Sequence, residues 1–490
     1  MFPFNAFSLL IPMLCILKIS RSSHIYPKIA VVGAGIGGTS VSYFLKDLFA
    51  DGNVVVDIYE SQEIGGRLAT VNVDERLYEA GGSVIHPDNK YMAHFCKKFG
   101  LQKRAAGDPN SKFALYNGKE IIFSESDWEI ITWMKMLWRY GWGPIKLNNI
   151  VEKMLNDFKR IYQLQDRGKV FLSVEEMLRA MNPDFVNDVK ISSREGFTEL
   201  GVSNRTVDEI VMAGLIVNYG QTTAAHKFVG SVSSAAGDGH LWSIAGGNKQ
   251  VPEMLLKYSG ANLIKAKVNE IILLQDSGKF NLSFVSSSNG VPNFGAANVG
   301  INGSLYNIYD VVIIASPLTS DTSSIHFKNF PSSLAIPEGK YHRTVCTIVK
   351  GEINNTYFGI EKENAEILSI KGNLKINSIG RIYDVRSLAR SEDQKIWKVF
   401  SQKPLRKDDL GDLFSKLDEV KVVDWLAYPH YESNQKLGSF VLHENLYHIN
   451  AIEWAASAME MSVIGAKNVA LLVHKDWLGG YHHRNTRDEL

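Results

Sequence analysis

Cysteine is scarce: three in 490 residues, Cys15, Cys96 and Cys346. That excludes a disulfide framework and any multi-cysteine zinc or iron–sulfur site, so no metal centre is expected. An excess of one charge is missing as well. Lys and Arg (53) nearly balance Asp and Glu (52), for a formal net charge of +1. No basic run interrupts that balance, which argues against a nucleic-acid partner. Glycine (40) and proline (14) are too few for a collagen-like or low-complexity chain. After the first twenty residues no segment stays apolar for the ~20 residues a bilayer span needs. What is present is 45% hydrophobic and 10% aromatic, the composition of a globular enzyme with a large core. At about 150 residues per domain the length suggests two to three domains, and no internal repeat is visible.

The N-terminal apolar stretch, Phe2 to Ile19, is interrupted by Pro3, Asn5, Pro12 and Lys18 and followed by Ser20-Arg21-Ser22-Ser23. This predicts a secretory signal over residues 1–23; the missing positive charge before the apolar core leaves a short signal anchor as the alternative. Cys15 departs with such a signal, and Cys96 and Cys346 could pair in an oxidising lumen. Asn204, Asn281, Asn302 and Asn354 stand in Asn-x-Ser/Thr sequons and are expected to be glycosylated and therefore exposed. The chain closes on Arg487-Asp488-Glu489-Leu490, close to the Lys-Asp-Glu-Leu luminal retrieval address.

The strand-like run Ile29 to Val32 leads into Gly33-Ala-Gly35-Ile-Gly-Gly38 and a helical pattern. Gly33, Gly35 and Gly38 have the G-x-G-x-x-G spacing, one each for a tight turn, close approach to a pyrophosphate and close helix–strand packing. A helix N-terminus there offers free amides and a positive dipole end to phosphate. A second strand, Val54 to Tyr59, ends in Glu60, where this fold needs a carboxylate for ribose hydroxyls. Next come Gly65-Gly66-Arg67 and Gly81-Gly82-Ser83. Together these elements resemble the FAD-binding start of amine-oxidase and glutathione-reductase-type flavoproteins. The resemblance implies that Arg67 supports the phosphates and that the Gly81-Gly82-Ser83 loop lies against the isoalloxazine ring. It also implies a C-terminal helix whose N-terminus, around Asn450, Ile452 and Glu453, faces the flavin.

The fold class expected is therefore α/β: an FAD-binding Rossmann domain of the glutathione-reductase/amine-oxidase type with an inserted α+β substrate domain. The FAD-binding domain is assembled from residues 25–90, 240–330 and 440–480, and the substrate domain from 90–240 and 330–440. Helical patterns fall at Tyr91–Phe99, Asn149–Leu164, Val174–Met181 and Thr206–Val217. The segment Trp128 to Trp142 carries four of the nine Trp. Its apolar residues are not confined to one stripe; packing into the core or a tunnel wall is the first reading, peripheral membrane contact the second.

Three further stretches, Gly82-Ser-Val-Ile-His86-Pro-Asp-Asn89, Asn218-Tyr219-Gly220-Gln221 and His240-Leu-Trp242-Ser-Ile-Ala-Gly246-Gly247-Asn248, join the Glu453-Trp-Ala-Ala-Ser-Ala-Met-Glu-Met461 segment. In these the chain resembles the prenylcysteine oxidase family, which includes the plant farnesylcysteine lyases. The resemblance implies an FAD-dependent thioether oxidase of a lysosomal or vacuolar lumen, with the Arg-Asp-Glu-Leu end pointing instead to the endoplasmic reticulum. It would turn S-prenyl-L-cysteine and O2 into cysteine, prenyl aldehyde and peroxide. His86 and Tyr219 are candidates for positioning water or substrate, His86 more readily as a structural histidine. FAD would be noncovalent, since no Cys follows Cys346. Two alternatives stay open: a flavin amine or polyamine oxidase, and a prenyl-binding escort-type protein without catalysis. No protein partner is inferable.

Overall fold

The computed structural model describes residues 26–49, 54–106, 111–238, 240–287, 298–299, 305–360, 365–387 and 395–485. The expected signal segment, Asn302 and the Arg-Asp-Glu-Leu end lie outside the described residues. Among the described residues no helix is long and apolar enough to cross a membrane.

The first sheet has a parallel centre. Val55–Glu60, Lys28–Val32, Val311–Ile314 and Leu446–His448 run side by side, with Ile58, Val31, Ile313 and Tyr447 in one row. These strands are apolar at nearly every position because both faces are covered. Ile29 and Val31 feed a core shared with the helices, whereas Ala30 and Val32 feed a second one. The long strand Asn262–Leu274 starts parallel to Val55–Glu60 and then pairs antiparallel with Lys279–Ser286, which pairs with Leu305–Tyr309. The helices Ile36–Leu48 and Met459–Asn485 pack on each other.

The second sheet unites both insertions, its strands ordered Phe414–Pro429, Tyr341–Ile353, Ile396–Ser401, Ser378–Arg381, Ala365–Ser369, Lys112–Tyr116, Ile121–Ser124. The helix Lys90–Lys98 packs on the C-terminal helix, and Lys103–Ala105 pairs with Trp242–Ile244. Of the expected helices, Val174–Met181 forms as read. The one at 149–164 is two, Gly143–Phe158 and Arg160–Asp166, and the one at 206–217 contains a π-helical turn, Val207–Val211. The segment after Leu446–His448 is corrected too: Asn450, Ile452 and Glu453 lie in a 3₁₀ turn, Ile449–Trp454, and the long helix begins only at Met459.

Cys96 and Cys346 are free, buried thiols in different cores. Of the described sequons, Asn204 is exposed. Asn281 lies in an internal strand with a buried side-chain oxygen. Asn354 caps a short helix and donates its amide to the Asp412 carbonyl. The expectation that most sequons stand exposed therefore holds for Asn204 alone among the described ones, because strand pairing and capping occupy the others.

Candidate flavin and substrate site

The three glycines of the first turn fill the three tasks set by their spacing. Gly33 has φ +109°, and a Cβ there would lie 2.8 Å from the Ala315 carbonyl oxygen. A Cβ on Gly38 would overlap the Gly33 carbonyl, so only glycine lets helix and strand approach. Gly35 differs: its φ is −71°, and the nearest neighbour of an added Cβ is the Gly65 carbonyl oxygen at 3.8 Å. It starts the helix Ile36–Leu48 with no side-chain cap and no acidic residue in the first turn. Glu60 closes the turn from the side, its Oε2 accepting the Ala34 N–H at 2.8 Å. Open space before Gly35, with Gly66 behind it and an uncapped helix N-terminus beneath, fits a dinucleotide pyrophosphate.

The second glycine loop serves packing. A Cβ on Gly81 would overlap the Arg67 carbonyl, and one on Gly82 would come within 2.7 Å of Leu68. The Gly82 N–H donates to the same Arg67 carbonyl at 3.1 Å. The missing side chains thus face the chain itself, a reason the resemblance did not supply. Ser83 is next, its Oγ 3.3 Å from Lys398 Nζ.

Arg67 and Glu453 meet across 386 positions. The guanidinium donates to both carboxylate oxygens, at 3.1 Å to Oε2, and to the Ala427 carbonyl. Glu453 is fully buried and also accepts from Tyr341 Oη (2.9 Å) and Asn450 Nδ2 (2.7 Å). Burial works against the Arg67 charge, but Glu453 outweighs it and holds the guanidinium more firmly protonated than usual. Burial and Glu453 together raise the Tyr341 phenol well above its ordinary range. Beside the phosphate role that the resemblance implies, Arg67 directs donors to Glu453 and Ala427. About a third of its side-chain surface (32%) still remains accessible. Ile452 contributes core packing and a carbonyl to the Ala455 N–H.

Tyr219 is buried edge-on between Tyr428 (5.1 Å) and Tyr431 (5.4 Å). Tyr431 Oη donates to the Glu453 carbonyl at 3.0 Å, and Gln221 is bonded to the backbone of Pro429 and Tyr431. The Asn218–Gln221 stretch therefore fixes the end of the strand Phe414–Pro429 beside Glu453. His86 stays apart from this group; its Nδ1 accepts the Asp88 N–H in the turn before Lys90–Lys98. A histidine not anticipated, His226, is fully buried. Its Nδ1 accepts the Val229 N–H as the cap of Lys227–Ser234, which leaves the ring proton on Nε2, 3.3 Å from the Trp454 carbonyl. Burial depresses it to about 4.

A polar cavity of about 90 Å³ adjoins the second glycine loop, with Glu79, Ser83, Arg104, Arg381, Tyr383 and Lys398 in its wall. Glu79 Oε1 accepts the Asn248 N–H at 2.6 Å, whereas Oε2 is buried without a hydrogen bond. Burial raises the pKa of Glu79 above the usual carboxylate range, partly countered by Asn248, Lys398 and Arg104. Sequence reading missed Glu79, Arg104, Arg381 and Lys398, since nothing local joins positions 79, 104, 381 and 398.

The parallel centre, the glycine cradle and the antiparallel extension define an FAD-dependent oxidoreductase of the amine-oxidase fold type. A putrescine oxidase triple mutant shares that fold at TM-score 0.56 and 12% identity, covering 91% of this chain and 98% of its own. Residues 31–99 match the NAD(P)-binding Rossmann-like domain, and residues 123–486 match the model described as prenylcysteine lyase. Prenylcysteine oxidase 1 of Bos taurus is 38% identical over 473 residues, covering 94% of this chain and 91% of that protein. The Homo sapiens protein of that name is 39% identical over 462 residues, covering 92% and 90%. The chain belongs to the prenylcysteine lyase family.

Proposed function

We propose that this protein oxidatively cleaves the thioether of S-farnesyl- or S-geranylgeranyl-L-cysteine, using noncovalent FAD and O2. The observation that carries the reading is a cavity, walled in part by Ser83 of the second glycine loop, that holds both a carboxylate and cations. The balance is S-prenylcysteine, O2 and water to cysteine, prenyl aldehyde and hydrogen peroxide. The C1–S bond breaks, C1 loses two electrons, O2 gains them, and water supplies the aldehyde oxygen. Bound in the cradle, FAD supplies the two-electron oxidation of the allylic carbon. The chain's own part is placement. Glu79 suits the substrate ammonium, and Arg104, Arg381 and Lys398 suit its carboxylate. Holding both ends of the amino-acid head fixes the direction of the C1–S bond, which turns binding into orientation.

Farnesylcysteine given to the purified protein should yield peroxide, farnesal and cysteine in equal amounts. A saturated S-alkyl cysteine of equal length should react far more slowly, because it lacks the alkene that stabilises developing positive charge. Glu79→Gln should raise KM by about tenfold or more with a smaller change in kcat. Equal rates for the two thioethers, or preference for putrescine over both, would refute the reading.

A further inference from the structure

The helix Glu129–Tyr140 is amphipathic with its two faces reversed from the usual sense. Its inward stripe is Thr132, Met136, Arg139 and Tyr140, while the outward face carries the larger apolar groups. Four Trp stand out of the protein: Trp128 (70% exposed), Trp133 (61%), Trp138 (89%) and Trp142 (67%). Ile130, Met134 and Leu137 lie exposed among them. The face is held out rigidly. Arg139 Nε and Nη2 bond Glu209 at 2.7 and 2.9 Å, and Tyr140 Oη bonds the same carboxylate at 2.8 Å. The inward side packs Met136 and Tyr140 on Phe113, Phe123 and Ala213.

We infer that this face docks on a phospholipid leaflet, lying in the headgroup–acyl boundary. Three observations select lipid over another protein. Indole combines an apolar body with a polar N–H, the chemistry enriched at bilayer interfaces. Exposed Lys135 on the helix and Lys146 and Arg205 beside it, bonded to the Ser124, Gly201 and Arg139 carbonyls, outnumber the exposed Asp127 and Glu129; cations so placed meet phosphate headgroups. The third rests on the reading above: an S-prenylcysteine partitions into membranes. The inward side of the Trp helix packs on Ala213, in the helix Met212–Tyr219 that ends at the ring cluster beside Glu453. One helix thus links the docking face to the candidate site.

The test uses the full chain without substrate, so its outcome is independent of the activity assigned. Flotation with phosphatidylcholine vesicles, with and without phosphatidylserine, should carry the protein upward, more strongly with the anionic lipid. Tryptophan emission should shift to the blue as vesicles are added. Trp133→Gln combined with Trp138→Gln should weaken vesicle partitioning about tenfold or more at an unchanged melting temperature. The single variant Trp138→Gln gives the same direction should the pair fail to fold. Wild-type protein that stays at the bottom of the gradient, or variants that float equally well, would overturn the proposal. So would a wild-type dimer that the double variant converts to monomer, since the face would then belong to a second copy.

Discussion

Two substitutions three residues apart should separate cofactor binding from folding. At Gly35 the backbone is in an ordinary negative-φ region, and an added Cβ meets nothing nearer than 3.8 Å. Gly35→Val loses some helix-capping quality and gains from a less flexible unfolded chain. The two effects nearly cancel, and the flavin-free protein should change by no more than about 0.5 kcal/mol. The valine methyls, however, would stand in the open space before the uncapped helix N-terminus. Flavin content should therefore fall to near zero. Gly38→Ala is the opposite case: its methyl overlaps the Gly33 carbonyl and presses within 3.2 Å of the Ala315 side chain. Neither neighbour is the loose end of a long side chain, so about 1–3 kcal/mol or more is lost through overpacking. Both variants are compared by urea unfolding of the flavin-free protein and by the ratio of visible flavin absorbance to protein after reconstitution. A fully flavinated Gly35→Val, or a Gly38→Ala as stable as the parent, would refute the assignment of the cradle.

Glu453→Gln leaves Arg67, a third of whose side-chain surface is accessible, without its carboxylate and should cost about 1–3 kcal/mol, measured by urea unfolding; no measurable change would mean that Arg67 finds another anion or reaches water. His226 yields a pH prediction. Its folded value near 4 lies below the ordinary 6.5, so its contribution is complete above pH 6.5 and disappears as pH falls through 4. At pH 5 the loss is about 2 kcal/mol, at 1.36 kcal/mol per unit. Glu460, raised to about 7 by burial, acts the other way, losing its contribution as pH rises through 7. His226→Asn keeps a capping side chain and should flatten the fall between pH 6.5 and 4 by one proton's worth; an identical slope would contradict the assignment.

Local pattern was enough for the cradle. Gly33, Gly35, Gly38 and Glu60 lie within 28 positions, and each has a requirement that its neighbours reveal: a turn, an approach, a packing contact, a strand end. The Arg67–Glu453 pair was half legible. Both residues could be singled out, but the pairing depends on how Tyr341, Ala427 and the 3₁₀ turn converge. The resemblance also placed the start of the last helix around Asn450 to Glu453, six to nine residues early. Asn450 to Trp454 carry helix-like spacing, yet the chain turns there as 3₁₀, with the Asn450 and Glu453 side chains bonded to each other. The polar cavity was illegible because its wall draws a few residues from each of several distant segments, none with a pattern of its own.

The Trp128–Trp142 segment shows a different limit. Composition reports how apolar a helix is, but which face turns inward is decided by what the neighbours can receive. Here the neighbours offer Glu209, an anion that must be matched at the protein surface. Arg139 and Tyr140 match it. Since 139 and 140 define the inward stripe with 132 and 136, the residues between them are forced outward, and those are Trp133, Met134, Leu137 and Trp138. The half-buried pairing of Arg139 with Glu209, with Met136 and Tyr140 packed beside it, thus fixes which face of the helix turns inward. Indoles left in water forgo about 25 cal/mol for each Å² of apolar surface they could bury. A face of this size can recover that free energy only by association, so the ion pair that appears to misplace the helix also creates its reason to bind a leaflet.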